Sequence, residues 1–258
     1  MMNNIQEQLS HLDQLKAQYG ALPVLDESTE QHFNRHIMTD MTYHSNAIEG
    51  STLTLDETKL ILNNQITVSG KSLVEHQEAT NHAEAMRYIQ TLSRKAPYIL
   101  SEAEILSIHE RLLAGINYSW AGIYRQQPVY IKKQSGHIHE FCDWTEIPRQ
   151  IIALLQWLRE STLHPVLLAA ELHYRFVSIH PFIDGNGRTA RLLMNVVLLQ
   201  NGFPLTTIRV QHRQDYLEAI DVAKQSGDMN PFYQLHLDAL LESLELNIKT
   251  HQENIIWK

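Results

Sequence analysis

The chain has 258 residues, enough for one large domain or a domain with an extension, and its 43% hydrophobic content supports a sizeable core. A formal net charge of −8 without a basic stripe argues against a non-specific nucleic-acid binder. The single cysteine, Cys142, excludes an intrachain disulfide and reads as a cytoplasmic protein; no apolar run approaches a membrane span, and Met1–Gln8 lacks the basic and apolar parts of a signal peptide.

Helical spacing dominates from the start. Ile5, Leu9, Leu12, Leu15 and Tyr19 recur at the helical period over 3–19, and Gly20 and Pro23 stop the run. A second helix is expected near 28–49, where Ser45 and Glu49 share one face and Gly50 supplies a natural end. Thr54-x-x-Glu57, Ser72-x-x-Glu75 and Ser101-x-x-Glu104 are capping boxes that open three more helices, the last ended by Gly115. Gly122–Ile131 and His137–His139 then flank the polar stretch Lys132–Gly136, which reads as a hairpin. A helix near 145–160 follows, then a largely buried one at Val166–Val177. Another runs through Leu192–Leu199 and closes at Asn201-Gly202, and a C-terminal pair follows Asp215 and Pro231. The expected fold is all-α with one small β-hairpin.

Between the two buried helices stands His180-Pro181-Phe182-Ile183-Asp184-Gly185-Asn186-Gly187-Arg188-Thr189-Ala190-Arg191. An imidazole near pKa 6.5 suits a general base, and a carboxylate suits Mg²⁺. Gly185-Asn186-Gly187 forms a tight turn onto a helix N-terminus, where unpaired N–H groups favour a phosphate. Arg188 and Arg191 leave one side of that first turn and suit a polyphosphate. A calcium loop fails here, because its fifth ligand position would be Arg188 and its twelfth Asn195. A Walker A loop fails because no Gly-Lys-Ser/Thr follows. Of the other histidines (His32, His36, His44, His82, His173, His236), only His32 and His36 have metal-like spacing, and they read as structural.

The segment resembles the core signature of Fic (Fido-fold) proteins, His-x-Phe-x-Asp/Glu-Gly-Asn-Gly-Arg-x-x-Arg, and matches it at every defined position. That family mostly moves AMP from ATP to a protein hydroxyl. The resemblance implies His180 as general base, Phe182 as loop anchor and Asp184 as Mg²⁺ ligand. It implies Gly185, Asn186 and Gly187 as the anion hole, and Arg188 and Arg191 as clamps on the β/γ-phosphates. Ser45-x-x-x-Glu49-Gly50 resembles the family's inhibitory motif, which implies that Glu49 reaches Arg191 and blocks the γ-phosphate pocket. The hairpin resembles the flap that holds a target by strand addition, with Val129, Tyr130 and Ile131 as docking residues. Tyr216 would line the adenine pocket.

By the same resemblance, residues 1–71 are an N-terminal regulatory extension and 72–258 hold the catalytic core and C-terminal helices. The implied activity is transfer of AMP from ATP, with Mg²⁺, to a protein Ser, Thr or Tyr hydroxyl. Self-modification and a homodimer are expected, with neither nucleic acid nor membrane as partner. AMP removal with Glu49 positioning a water, or transfer of another nucleotide-derived phosphoryl group, stays open. A kinase-like relative would carry Lys where Gly187 stands. A binding module with a dead site is disfavoured by the intact His180, Asp184 and both arginines.

Overall fold

The computed structural model describes residues 2–94, 100–132 and 138–253. Helix α1 (Met2–Gly20) turns Leu9 and Leu12 into the core and packs against the last helix. Helix α2 (Glu27–Ile48) starts at Asp26, whose side chain accepts from the Thr29 N–H and satisfies one of the unpaired donors of a helix start. Helices α3 (Leu55–Asn64), α4 (Leu73–Leu92) and α5 (Glu102–Leu113) all open with the expected capping boxes at Thr54, Ser72 and Ser101.

Strands β1 (Tyr130–Lys132) and β2 (Ile138–Glu140) pair antiparallel with Tyr130 opposite Glu140, the one sheet among the described residues. The turn expected at Lys132–Gly136 lies mostly outside the described residues. Helices α6 (Ile147–Glu160), α7 (Pro165–Ile179), α8 (Asn186–Gln200), α9 (Arg213–Ser226) and α10 (Asn230–Glu253) complete the chain. The all-α expectation with a hairpin holds. The helix expected after Pro231 starts one residue before it, because proline's fixed φ and missing N–H suit a first helical turn.

Helix α8 explains the architecture. Thr189 to Leu198 are all buried, so the helix is covered on every side rather than along one stripe. It packs against α7, α4 and α5, with α2 meeting it near its start. The motif loop between α7 and α8 is therefore held by the best-packed pair of helices, and its backbone inherits their rigidity.

Candidate active site

Helix α7 ends at Ile179, and His180 turns the chain with φ 53° and ψ 59°. A side chain in this left-handed region costs about 1–2 kcal/mol, so the surroundings must hold it. Arg125 does so. It is 2% exposed, and its Nε donates to the His180 carbonyl at 2.8 Å while its backbone N–H donates to the Pro181 carbonyl at 2.9 Å. Its remaining donors reach the carbonyls of Gln127 (3.1 Å) and Cys142 (2.6 Å), so one guanidinium ties the motif loop to the base of the hairpin.

The His180 ring stacks on Phe141 with centroids 3.9 Å apart, and Lys224 lies over the far ring at 5.0 Å. Burial pushes the imidazole down to about 4, below the value near 6.5 expected from the sequence; Arg125 and Lys224 add to the fall, while a bond to the Val177 carbonyl and the Glu49 charge oppose it. The ring is thus neutral at pH 7. One nitrogen donates to Val177 and the other keeps its lone pair, as a base requires.

Phe182 is fully buried and stacks on His109 with ring planes 2° apart at 3.5 Å. His109 Nδ1 accepts from the Gly122 N–H at 3.0 Å, so in the neutral ring Nε2 carries the proton and donates to the Asp184 carbonyl at 2.9 Å. Burial holds this imidazole at about 4, which keeps the ring neutral. The Asn186 amide bridges both backbone groups of Phe182, at 3.0 and 2.9 Å. Its side chain is therefore spent on the loop, and only its backbone N–H faces the helix start. Gly185 has φ +76°, and a Cβ there would meet the His109 ring at 3.3 Å.

Helix α8 begins without a side-chain cap. Its first-turn N–H groups and dipole therefore favour an anion. The Glu49 carboxylate sits against this turn, since a Cβ on Gly187 would collide with Glu49 Oε1 and lie 3.1 Å from Arg191 Nη1. Glu49 caps α2, and Gly50 at φ +103° turns the chain away behind it.

The two arginines are held by different helices. Arg191, 4% exposed, donates from Nε to Ser45 Oγ at 3.0 Å, and from Nη2 to the Ser45 carbonyl at 2.9 Å and Glu49 Oε1 at 2.7 Å. Arg188, 2% exposed, donates to Glu78 on α4 at 2.7 Å and to Asp184 Oδ2 at 3.3 Å. Arg188 Nε and Arg191 Nη1 are buried and make no hydrogen bond. The other Asp184 oxygen accepts from the Gly185 N–H at 2.6 Å.

His180, Asp184, the α8 start, both arginines, Ser45 and Glu49 thus come together. Tyr216 lies deeper, 3% exposed, in a cluster with Ile48, Ile208 and Phe232. In the hairpin, the Val129 carbonyl accepts from Phe141 N–H at 3.5 Å, Tyr130 is exposed and Ile131 is in register with His139. Arg125, His109 and Glu78 escaped the sequence reading. Each acts through a partner far along the chain, and no local spacing marks it.

Residues 99–198 match the sequence model of the Fic/DOC family. The protein adenylyltransferase Fic of Nematostella vectensis is 40% identical over 90% of the chain, which spans 52% of that relative. The Drosophila melanogaster protein of the same name is 37% identical over 92% of the chain and 46% of the relative. The chain therefore spans about half the length of these relatives. Among solved structures, a Fic domain containing signaling protein from Bacteroides thetaiotaomicron superposes with a TM-score of 0.87 at 29% identity, covering 96% of this chain and 98% of that one. Fic-1 from C. elegans gives 0.85 at 29% identity over 98% and 74%. The likeness runs through nearly the whole chain, and its centre is the loop just described: residues 99–198, which hold that loop, match the Fic/DOC family.

Proposed function

We propose that the chain is a protein adenylyltransferase that moves AMP from ATP to a Ser, Thr or Tyr hydroxyl and is restrained by its own Glu49. The observation that carries the reading is the Glu49 carboxylate, seated at the α8 start and paired with Arg191, where a phosphate would sit. The relatives named protein adenylyltransferase Fic support the activity.

Neutral His180 takes the proton of the acceptor hydroxyl. The hydroxyl oxygen forms a bond to the α-phosphorus, the bond from that phosphorus to the β-phosphate bridging oxygen breaks, and pyrophosphate leaves. The N–H groups of Asn186 and Gly187 hold phosphate oxygens, and Arg188 and Arg191 clamp the β- and γ-phosphates. The buried Arg188 Nε and Arg191 Nη1, without protein partners, suit those oxygens. Asp184 is half-exposed at 54%, and no cluster of three metal-binding side chains exists among the described residues. One accessible carboxylate fits Mg²⁺, which rests on one or two carboxylates plus phosphates and water. Bound there, Mg²⁺ would neutralise developing phosphate charge.

Val129, Tyr130 and Ile131 offer a strand edge to the target. Residues 1–71 act as the regulatory extension and 72–258 as the catalytic part. Exposed Leu55, Leu60, Ile66, Leu73 and Val74, clustered in one stretch of chain, support a homodimer. We place the chain in the cytoplasm from its single cysteine; no described helix is long and apolar enough to cross a membrane.

A second reading, AMP removal, draws on one observation. The Glu49 charge acts on His180, which supports a role for this carboxylate in orienting a water for AMP removal. Labelled-ATP incorporation by wild type and Glu49→Gly, set beside release of AMP from a pre-modified substrate, separates the two. No incorporation by either protein would overturn the transferase reading.

A further inference from the structure

The Glu49 side chain leaves the backbone at the end of α2, so whatever holds that end decides where the carboxylate points. The last four carbonyls of an α-helix lack partners inside it. Here the Asn46 carbonyl accepts from the Glu49 and Ser51 N–H groups at 3.0 and 3.1 Å, and the Ala47 carbonyl from the Gly50 N–H at 3.1 Å. The other two meet arginines far along the chain. Arg191 Nη2 donates to the Ser45 carbonyl at 2.9 Å, and Arg213 Nε donates to the Ile48 carbonyl at 2.7 Å. The last turn of α2 has no basic residue of its own, so Arg213 also supplies the cation that a helix C-terminus favours.

Arg213 opens α9, and the residues just before it grip the same side of α2. Asp40, His44 and Ile48 are four apart and share one face. Arg209 Nη1 reaches Asp40 Oδ1 at 3.5 Å, the Val210 N–H donates to His44 Nδ1 at 3.2 Å, and Arg213 takes Ile48. Ile48 itself is 3% exposed and packs with Ile208 and Tyr216. Ser45 and Glu49 lie one position further on, on the adjoining face that meets Arg191. Residues 209–213 thus clasp the turn that ends in Glu49. Arg191 holds the Ser45 hydroxyl and carbonyl as well as Glu49, so freeing it for a phosphate loosens that whole turn and not one side chain alone.

We propose that Arg213 is a positioning residue for autoinhibition: its bond to the Ile48 carbonyl fixes the end of α2 and thereby seats Glu49 against Arg191. The inhibitory consequence rests on the transferase reading proposed for this site; the hold on α2 does not.

Arg213 is exposed, so its replacement opens no cavity. Amide hydrogen exchange of the intact chain tests the hold without any nucleotide. Arg213→Leu should speed exchange of the Glu49, Gly50 and Ser51 N–H groups about fivefold, as expected for one lost hydrogen bond, and leave α8 unchanged. Titration tests the consequence. A closed form weakened about fivefold raises the open fraction from roughly one molecule in ten to one in three, so Arg213→Leu should bind ATP about threefold more tightly than wild type. A defect of structure alone would not raise affinity. In a Glu49→Gly parent the same substitution should change nothing, because the seated carboxylate is gone. Arg213→Gln, whose amide nitrogen stands as many bonds from the backbone as Nε, should fall between wild type and Arg213→Leu. Unchanged exchange overturns the proposal. So does ATP affinity no higher than wild type in Arg213→Leu when Glu49→Gly binds more tightly, or a gain that persists in the Glu49→Gly parent. Should Arg213→Leu fail to fold, Arg213→Ala, a stronger helix former, takes its place. If Glu49→Gly binds ATP no more tightly than wild type, the autoinhibition reading fails, while the exchange rates still judge the hold of Arg213 on α2.

Discussion

Removing Glu49 should convert a closed site into an open one, and the size of the change can be worked from the contact. Glu49 accepts a charge-assisted bond from Arg191 at 2.7 Å, with side-chain exposures of 37% and 5%. A hydrogen bond to a charged group is worth about 1.5–3 kcal/mol, and the exposed carboxylate points to the lower end. At about 1.5 kcal/mol the open state is roughly one molecule in ten, and apparent ATP affinity falls by that fraction. Glu49→Gly should therefore bind ATP about tenfold more tightly and incorporate more label at subsaturating ATP. Glu49→Gln, which keeps the shape without the charge, should fall between. Arg191 stays buried with fewer partners, so Glu49→Gly should also melt a few degrees lower. Calorimetric titration of ATP into the three proteins, with labelled incorporation at matched concentration, provides the assay. Equal ATP affinity and equal incorporation in wild type and a folded Glu49→Gly would refute autoinhibition through this pair.

Three further outcomes follow from the geometry. His180→Ala should lose about 10²–10⁴-fold in transfer while ATP binding stays near that of its parent, measured by single-turnover incorporation and titration. Because the His180 imidazole sits at about 4, the parent's rate should hold as pH falls from 7 to 5.5, where an unperturbed imidazole would already be mostly protonated. Asp184→Ala should abolish Mg²⁺-dependent incorporation; retained, metal-dependent activity would place the ligand elsewhere. Stability should fall with acid, because buried His82, His109 and His236, at about 3, 4 and 4, stay neutral in the folded chain while the unfolded chain protonates near 6.5. The unfolded state then binds more protons between pH 6.5 and about 4, so each histidine subtracts up to about 1.4 kcal/mol per pH unit across that window. Urea midpoints at pH 7.0 and 5.5 check this, and equal midpoints would contradict it.

What the sequence determined by itself was local. Capping boxes at Thr54, Ser72 and Ser101 join a side chain to a backbone three residues away, so their spacing is written in the chain and all three form. The helical period placed α7 and α8, and the glycines between them marked the tight loop. The pairing of Glu49 with Arg191 was expected only through the family resemblance, since 142 residues separate them. Tertiary packing decided the rest. Arg188 meets Glu78 from 110 residues away, Arg125 supports the carbonyl of His180 from 55, and His109 reaches Asp184 from 75. Packing also set the protonation of His180, because desolvation depends on what surrounds a ring and not on its neighbours in sequence. Such contacts exist only once α2, α4, α5 and α7 close around α8, and no spacing along the chain encodes which side chains that closure brings face to face.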